Sequence, residues 1–135
     1  MKINYIIVLI VVLFVGVLVY FKYAHTNNQN TQVEDPDAQV IKQLREQGDI
    51  HEKEHVVDFF LYFPDEDSAN RASNDIHILG FEPIVEKRSD KEFVILIKNK
   101  MKISLKDMKD IRVKFDQISS KYQGDYDGWG TEIEK

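Results

Sequence analysis

Residues 56 to 63 read VVDFFLYF, and this run determines how the rest of the chain is interpreted. β-Branched and aromatic residues predominate in it, which is typical of a β-strand. Side chains alternate across a strand, so the run has two faces. One face is wholly apolar and is predicted to lie in the core: Val57, Phe59, Leu61 and Phe63. The other face is mixed and suits solvent, a covering helix or a partner: Val56, Asp58, Phe60 and Tyr62.

Helical and strand-like patterns follow this first strand. Pro64 and Asp65 end it, and residues 66–79 have an apolar stripe at helical spacing that Gly80 closes. The members of this stripe are Ala69, Ala72, Ile76 and Leu79. Residues 81–86 and 92–98 are strand-like, and the charged segment 87–91 predicts the hairpin turn between them.

A longer amphipathic helix is predicted next, and it ends near Gly124. Its apolar positions recur at steps of three and four residues: Leu105, Met108, Ile111, Phe115, Ile118 and Tyr122. Residues 126–133, YDGWGTEI, allow a short last strand. On the N-terminal side, Asp35 and Pro36 predict the start of a short helix over residues 36–47. The order β-α-β-β-α-β after this leading helix predicts a ferredoxin-like α+β sandwich, with two helices on a four-stranded antiparallel sheet.

The N-terminal segment has a different character. Residues 5–21, YIIVLIVVLFVGVLVYF, contain no charged residue, and residues 3–22 are long enough to span a bilayer. A cleaved secretory signal is the alternative, but the apolar run exceeds the usual length and no Ala-x-Ala site follows it. Residues 1–24 are therefore predicted to be a single-pass anchor in a bacterial inner membrane, joined by a polar linker, 25–35, to a domain over 36–135. The charges flanking the anchor lean only slightly toward an exported domain.

The charge balance argues against direct nucleic-acid binding. The 135 residues carry a net charge of −5, and residues 1–24 contain two lysines and no acidic residue, so the remainder carries −7. Residues 87–114 are locally basic, with ten Lys and Arg against four Asp and Glu. A solvated face with lysines that protect a strand edge is favoured there over a surface for nucleic acid or an acidic partner.

The candidate catalytic and metal-binding patterns have simpler interpretations. Residues 51–55, HEKEH, match the H-E-x-x-H expression, but they lie between a helix-ending Gly48 and a strand, so a solvated loop is favoured over a zinc site. The acidic residues of the tail lack EF-hand spacing: Asp125, Asp127, Glu132 and Glu134. The chain has no cysteine, no G-x-S-x-G and no phosphate-binding glycine loop. We expect neither enzymatic activity nor a metal or cofactor.

Three segments together resemble the RraB family, regulator of ribonuclease activity B. They are residues 55–73, HVVDFFLYFPDEDSANRAS, the Gly80–Phe81 pair and the closing YDGWGTEI. The resemblance covers about residues 36–135. Within it, the leading helix ends in a Gly-Asp pair, Gly48 and Asp49. The most specific part is the run Tyr126, Asp127, Gly128 and Trp129.

The resemblance implies a ferredoxin-like domain that acts by binding protein, similar to an inhibitor that docks on ribonuclease E. It implies no catalytic residues, and it favours a cytoplasmic domain. The residues predicted to bind the partner are Asp127, Gly128, Trp129, Phe60 and Tyr62. For Trp129 the alternative is that its ring packs on the core, because a lone aromatic residue in a terminal strand packs more often than it binds.

Two other functions remain open at this point. The first is an RNA-binding module that stacks bases on Phe60 and Tyr62, as RRM domains do on their sheet. The equivalent face of the third strand, however, carries Glu92, Val94 and Leu96 and has no aromatic residue. The second alternative is an exported domain with an unrelated binding function.

Overall fold

A leading helix precedes the alternating helices and strands in the computed structural model, which describes residues 34–135. The elements are α1 (Pro36–Glu46), β1 (Glu54–Phe63), α2 (Glu66–Ile78), β2 (Pro83–Ser89), β3 (Glu92–Lys102), α3 (Leu105–Lys121) and β4 (Asp125–Thr131). The predicted membrane anchor, 1–24, and nearly all of the predicted linker lie outside the described residues. Among residues 34–135, no helix has the length and apolar content needed to cross a bilayer.

The four strands form one antiparallel sheet in the order β2-β3-β1-β4. Strand β1 is therefore central, and Phe59 lies opposite Ile97 of β3 on one side and Trp129 of β4 on the other. This arrangement confirms the predicted α+β class, the order β-α-β-β-α-β and the antiparallel sheet.

The core lies between one face of the sheet and the helices. The apolar face of β1 is buried as predicted, with at most 2% exposure at Val57, Phe59, Leu61 and Phe63. Helix α3 contributes Met108, Ile111 and Phe115 to the same cluster. The ring of Phe115 meets those of Phe59 and Tyr126 edge-on at centroid distances of 5.5 and 5.7 Å, a favourable aromatic geometry. The helices therefore cover one sheet face, and within residues 34–135 no helix covers the opposite face.

Side-chain caps explain where the helices begin. The Asp35 carboxylate accepts a hydrogen bond from the Asp37 backbone N–H at 3.1 Å, and Ser104 accepts one from Asp107 at the same distance. Asp65 caps α2 in the same way. The predicted apolar stripe of α2 is wrong at its last member, because the helix ends at Ile78 and Leu79 is 43% exposed.

The hairpin between β2 and β3 is tighter than predicted. Strand β2 continues to Ser89 and β3 starts at Glu92, so only two residues connect them and the predicted turn over 87–91 is wrong. Charged side chains do not prevent the backbone from pairing when they point to solvent. Two of the three lysines of β3 form ion pairs, Lys98 with Asp58 at 3.0 Å and Lys100 with Glu54 at 3.3 Å.

Candidate protein-binding surfaces

The open sheet face lies opposite the helices and combines apolar side chains from three neighbouring strands. Its apolar members are Val56, Phe60 and Tyr62 of β1, Ile84 of β2, and Val94 and Leu96 of β3. Val56 and Ile84 are 52% and 53% exposed, Val94 is buried, and the other three are half-buried. Phe60 and Tyr62 lie here because they alternate with the buried residues of β1.

Two glycines of β4 open a groove on this face. Gly128 lies opposite Phe60 and Gly130 lies opposite Asp58, so no side chain of β4 covers these positions of β1. Gly128 has φ +131°, a conformation that favours glycine. The resulting groove has a volume of about 500 Å³. Its lining includes the apolar residues Val56 and Phe60, the ion pair of Asp58 and Lys98, and the acidic residues Glu132 and Glu134.

Tyr62 is held in place by a neighbour on the same face. The guanidinium of Arg88 donates a hydrogen bond to the Tyr62 hydroxyl at 3.0 Å. The centre of that guanidinium is also 5.7 Å from the centroid of the tyrosine ring, within the range of a cation–π contact. Arg88 therefore covers part of the Tyr62 ring. Phe60 is the aromatic side chain of β1 that borders the groove.

Trp129 lies on the other side of the sheet, with its ring against the core cluster. Its indole N–H donates a hydrogen bond to the Asp37 carboxylate at 3.0 Å. Because Trp129 is opposite Phe59, it shares the helix-covered face with the buried residues of β1. This geometry supports the packing interpretation of Trp129.

Asp37 connects Trp129 to helix α3. It is 3% exposed, and the Nε of Arg112 donates to its second carboxylate oxygen at 2.7 Å. Arg112 also reaches Asp35 at 3.2 Å, and Lys109 reaches Asp35 at 3.0 Å. The hydrogen bond from Lys109 lowers the pKa of Asp35, and the hydrogen bond to Asp37 raises the pKa of Arg112. Helix α1 is thereby joined to both α3 and β4.

The Trp129 cavity lies beside this network and has a volume of about 260 Å³. The polar and aromatic residues that line it are Asp37, Arg112, Asp116, Tyr126, Asp127 and Trp129. Asp127 is the extra residue of a β-bulge, since Gly128 lies opposite Phe60 and Tyr126 lies opposite Leu61. Asp127, Gly128 and Trp129 all border this cavity, whereas Phe60 and Tyr62 lie on the open sheet face. The five predicted partner-binding residues therefore belong to two separate surfaces.

The HEKEH segment differs from its predicted conformation. His55 is fully buried in β1, so the prediction of a solvated loop is wrong for this residue. Its Nε2 lies 2.7 Å from a carboxylate oxygen of Asp49, and its Nδ1 lies 3.1 Å from the carbonyl oxygen of Lys53, so both ring nitrogens are within hydrogen-bond distance of an oxygen. Asp49 also accepts the Glu134 backbone N–H at 3.0 Å and so holds the C-terminal tail. Among residues 34–135, no group of three or more potential ligands is placed to bind a metal ion.

The comparisons with known proteins identify the family. The family model described as regulator of ribonuclease activity B matches residues 34–131. No curated protein matches this chain. The match includes all seven elements of the described domain, together with the open sheet face and the residues of the Trp129 cavity. The chain belongs to the RraB family, the regulators of ribonuclease activity B.

Proposed function

We propose that this chain is a membrane-anchored, non-enzymatic regulator that binds a ribonuclease of the ribonuclease E type and lowers its activity. The family match over residues 34–131 carries this proposal. A regulator that binds the enzyme needs a complementary surface on the ferredoxin-like domain rather than catalytic groups of its own. The proposal therefore depends on where the domain offers apolar area that a partner can bury.

The open sheet face is the docking surface that the geometry favours. It presents Val56, Ile84 and the ring of Phe60 together, next to a groove that β4 leaves uncovered. Asp58 and Lys98 of this face form an ion pair, so a partner can cover these two side chains without leaving either charge isolated. An apolar centre with paired charges around it is typical of protein interfaces.

Replacing Phe60 with alanine tests this surface. A central aromatic anchor typically contributes about 2 kcal/mol or more to binding, so Phe60→Ala is expected to weaken ribonuclease inhibition by about 30-fold or more. The measurement is the cleavage rate of a fluorogenic RNA by ribonuclease E at increasing concentrations of the 135-residue chain. Val113→Ala is the matched control, because Val113 is apolar and 51% exposed but lies on α3.

Two results would contradict the proposal. Absence of inhibition by the unsubstituted chain would reject the function itself, whereas equal inhibition by the Phe60 and Val113 variants would reject the open sheet face as the docking surface. Salt-sensitive binding of the chain to RNA without the ribonuclease would favour the RNA-binding alternative. The partial cover of Tyr62 by Arg88 and the net negative charge lead us to expect no such binding.

The membrane anchor is the second part of the proposal. Residues 3–22 hold the chain in the bacterial inner membrane, and the domain faces the cytoplasm, where a ribonuclease would meet it. Fusing green fluorescent protein or alkaline phosphatase to the C-terminus is expected to give fluorescence with the first reporter and no activity with the second. The reverse result would place the domain outside the cytoplasm and support the alternative of an exported domain with an unrelated binding function.

A further inference from the structure

We propose that the Trp129 cavity receives an arginine or lysine side chain from the protein partner. This inference rests on the proposed function only in taking the partner to be a protein. It assigns a second contact to that partner, on the face opposite the open sheet face. The cationic group would lie between Asp116, Asp127 and the Tyr126 hydroxyl, and its alkyl stem would lie against the apolar walls.

The charge of the cavity favours a cation. Three aspartates and one arginine line it, so negative charge is in excess. Asp37 is already bound by Arg112 and Trp129. Asp116 and Asp127 are both exposed, and neither has an ion-pair partner within 4 Å among residues 34–135. These two carboxylates are accessible acceptors for an incoming donor.

The Tyr126 hydroxyl provides a second, independent observation. Tyr126 is only 9% exposed, and its hydroxyl oxygen is buried without a hydrogen-bond partner in the described part of the chain. Burial raises the pKa of this hydroxyl, and the negative charges of Asp37 and Asp116 raise it further. Tyr126 lines the same cavity as those two aspartates. A buried polar group without a partner is costly, and a donor from a ligand would remove that cost.

The size and walls of the cavity select an organic cation. A metal ion needs several oxygen ligands converging on one point, and the described residues contain no such group of three. A volume of about 260 Å³ also leaves room for more than a single ion. Pro36 and Val40 supply apolar surface for an alkyl stem.

A cationic ligand would stabilise the ionised form of Asp116. Partial desolvation raises its pKa, and the charges of Asp125 and Asp37 raise it further against the opposing effect of Arg112. A carboxyl with a raised folded-state pKa loses stability as it ionises, so charged Asp116 disfavours the folded state at neutral pH. Asp116→Asn is therefore expected to preserve or increase the stability of the domain while removing the acceptor charge. A loss of binding in this variant cannot then be attributed to unfolding.

The test uses the fluorescence of Trp129, the only tryptophan of the chain. The 135-residue chain is titrated with N-acetyl-arginine amide, and with N-acetyl-citrulline amide as an uncharged probe of nearly the same shape. We expect a saturable change with the arginine probe and none with the citrulline probe at matched ionic strength. Equal responses to the two probes, or no saturable response to either, would overturn the inference.

Variants locate the binding to the cavity. Asp116→Asn removes a charged acceptor and is expected to weaken binding of the arginine probe by about tenfold. Tyr126→Phe removes only the hydroxyl and is expected to weaken it less. Asp110→Asn is the matched control, because Asp110 is a carboxylate of α3 that does not line the cavity. Unchanged probe binding in Asp116→Asn would reject the assignment. Ribonuclease inhibition is measured separately, so a chain that inhibits the enzyme without binding the probe retains the proposed function and loses only this inference.

Discussion

Replacing His55 with alanine is expected to lower the free energy of unfolding by about 3 to 5 kcal/mol, because the substitution leaves a buried carboxylate without its partner. His55 and the Asp49 side chain are 0% and 1% exposed, and their 2.7 Å contact is the shortest hydrogen bond of the Asp49 carboxylate. The substitution also leaves a cavity beneath the start of β1. Chemical denaturation followed by circular dichroism measures the change.

His51→Ala is the matched control within the same HEKEH segment. The His51 side chain is 43% exposed and lies 3.3 Å from the carboxylate of Glu52, which is itself exposed, so its loss is expected to change stability by less than about 0.5 kcal/mol. If the two histidine variants are equally stable, the pair formed by His55 and Asp49 does not stabilise the domain.

The same pair has a consequence at low pH. Burial alone would raise the pKa of Asp49, but hydrogen bonds from His55 and the Glu134 N–H, together with the charge of His55, lower it below 3.8. Because the folded-state pKa is lowered, the stabilisation is present above pH 3.8 and is lost as the pH falls through the folded-state pKa. Asp49→Asn should therefore reduce the acid sensitivity of unfolding below that pH. If the free energy of unfolding of this variant falls at low pH as it does in the unsubstituted chain, other carboxylates account for the acid sensitivity.

The regular elements could be predicted because their periodicity is local. Alternation in β1 separates buried Phe59 from half-buried Phe60, and the spacing of Met108, Ile111 and Phe115 defines the buried side of α3. The hairpin between β2 and β3 was predicted less well. A run of charged residues indicates solvent exposure, but exposed positions of a strand such as β2 carry the same residues as a turn.

The buried polar residues could not be predicted from hydrophobicity, because it assigns histidine and aspartate to the surface. The spacing of a polar residue from a buried apolar residue in the same element predicts its burial better. His55 is two residues before Val57, so the alternation of β1 places it on the core face, and Asp37 is four residues before the buried Ile41, so α1 places it on its packed side. The hydrogen-bond partners of these residues could not be predicted from nearby sequence, since Trp129 is 92 residues from Asp37. Only the tertiary fold brings these residues together.

Trp129→Ala is expected to lower the free energy of unfolding by about 2 to 4 kcal/mol. This value is below that of a fully buried tryptophan because Trp129 is half-buried. The loss combines ring packing on the core cluster with the hydrogen bond to Asp37. Asp37 keeps Arg112 at 2.7 Å, so its carboxylate does not become an isolated buried charge.

Trp129→Phe separates the two contributions. Phenylalanine retains most of the apolar ring and removes only the N–H donor, so a loss of about 1 kcal/mol is expected. Both variants are unfolded with denaturant and followed by circular dichroism, because the substitutions remove the tryptophan fluorescence signal. Equal losses in the two variants would mean that the hydrogen bond to Asp37, rather than ring packing, holds β4 against α1.

Ribonuclease inhibition by the same samples distinguishes packing from direct binding by Trp129. If the ring packs, Trp129→Phe retains inhibition at temperatures where the domain is folded, and any loss in Trp129→Ala follows its unfolded fraction. If the ring instead anchors the partner, Trp129→Ala melts normally and fails to inhibit. Trp129 shares the helix-covered face with Phe59 and donates its N–H to Asp37, which is 3% exposed. A tryptophan bound in this way is not free to turn outward, so we expect the loss of inhibition to follow the loss of folded domain.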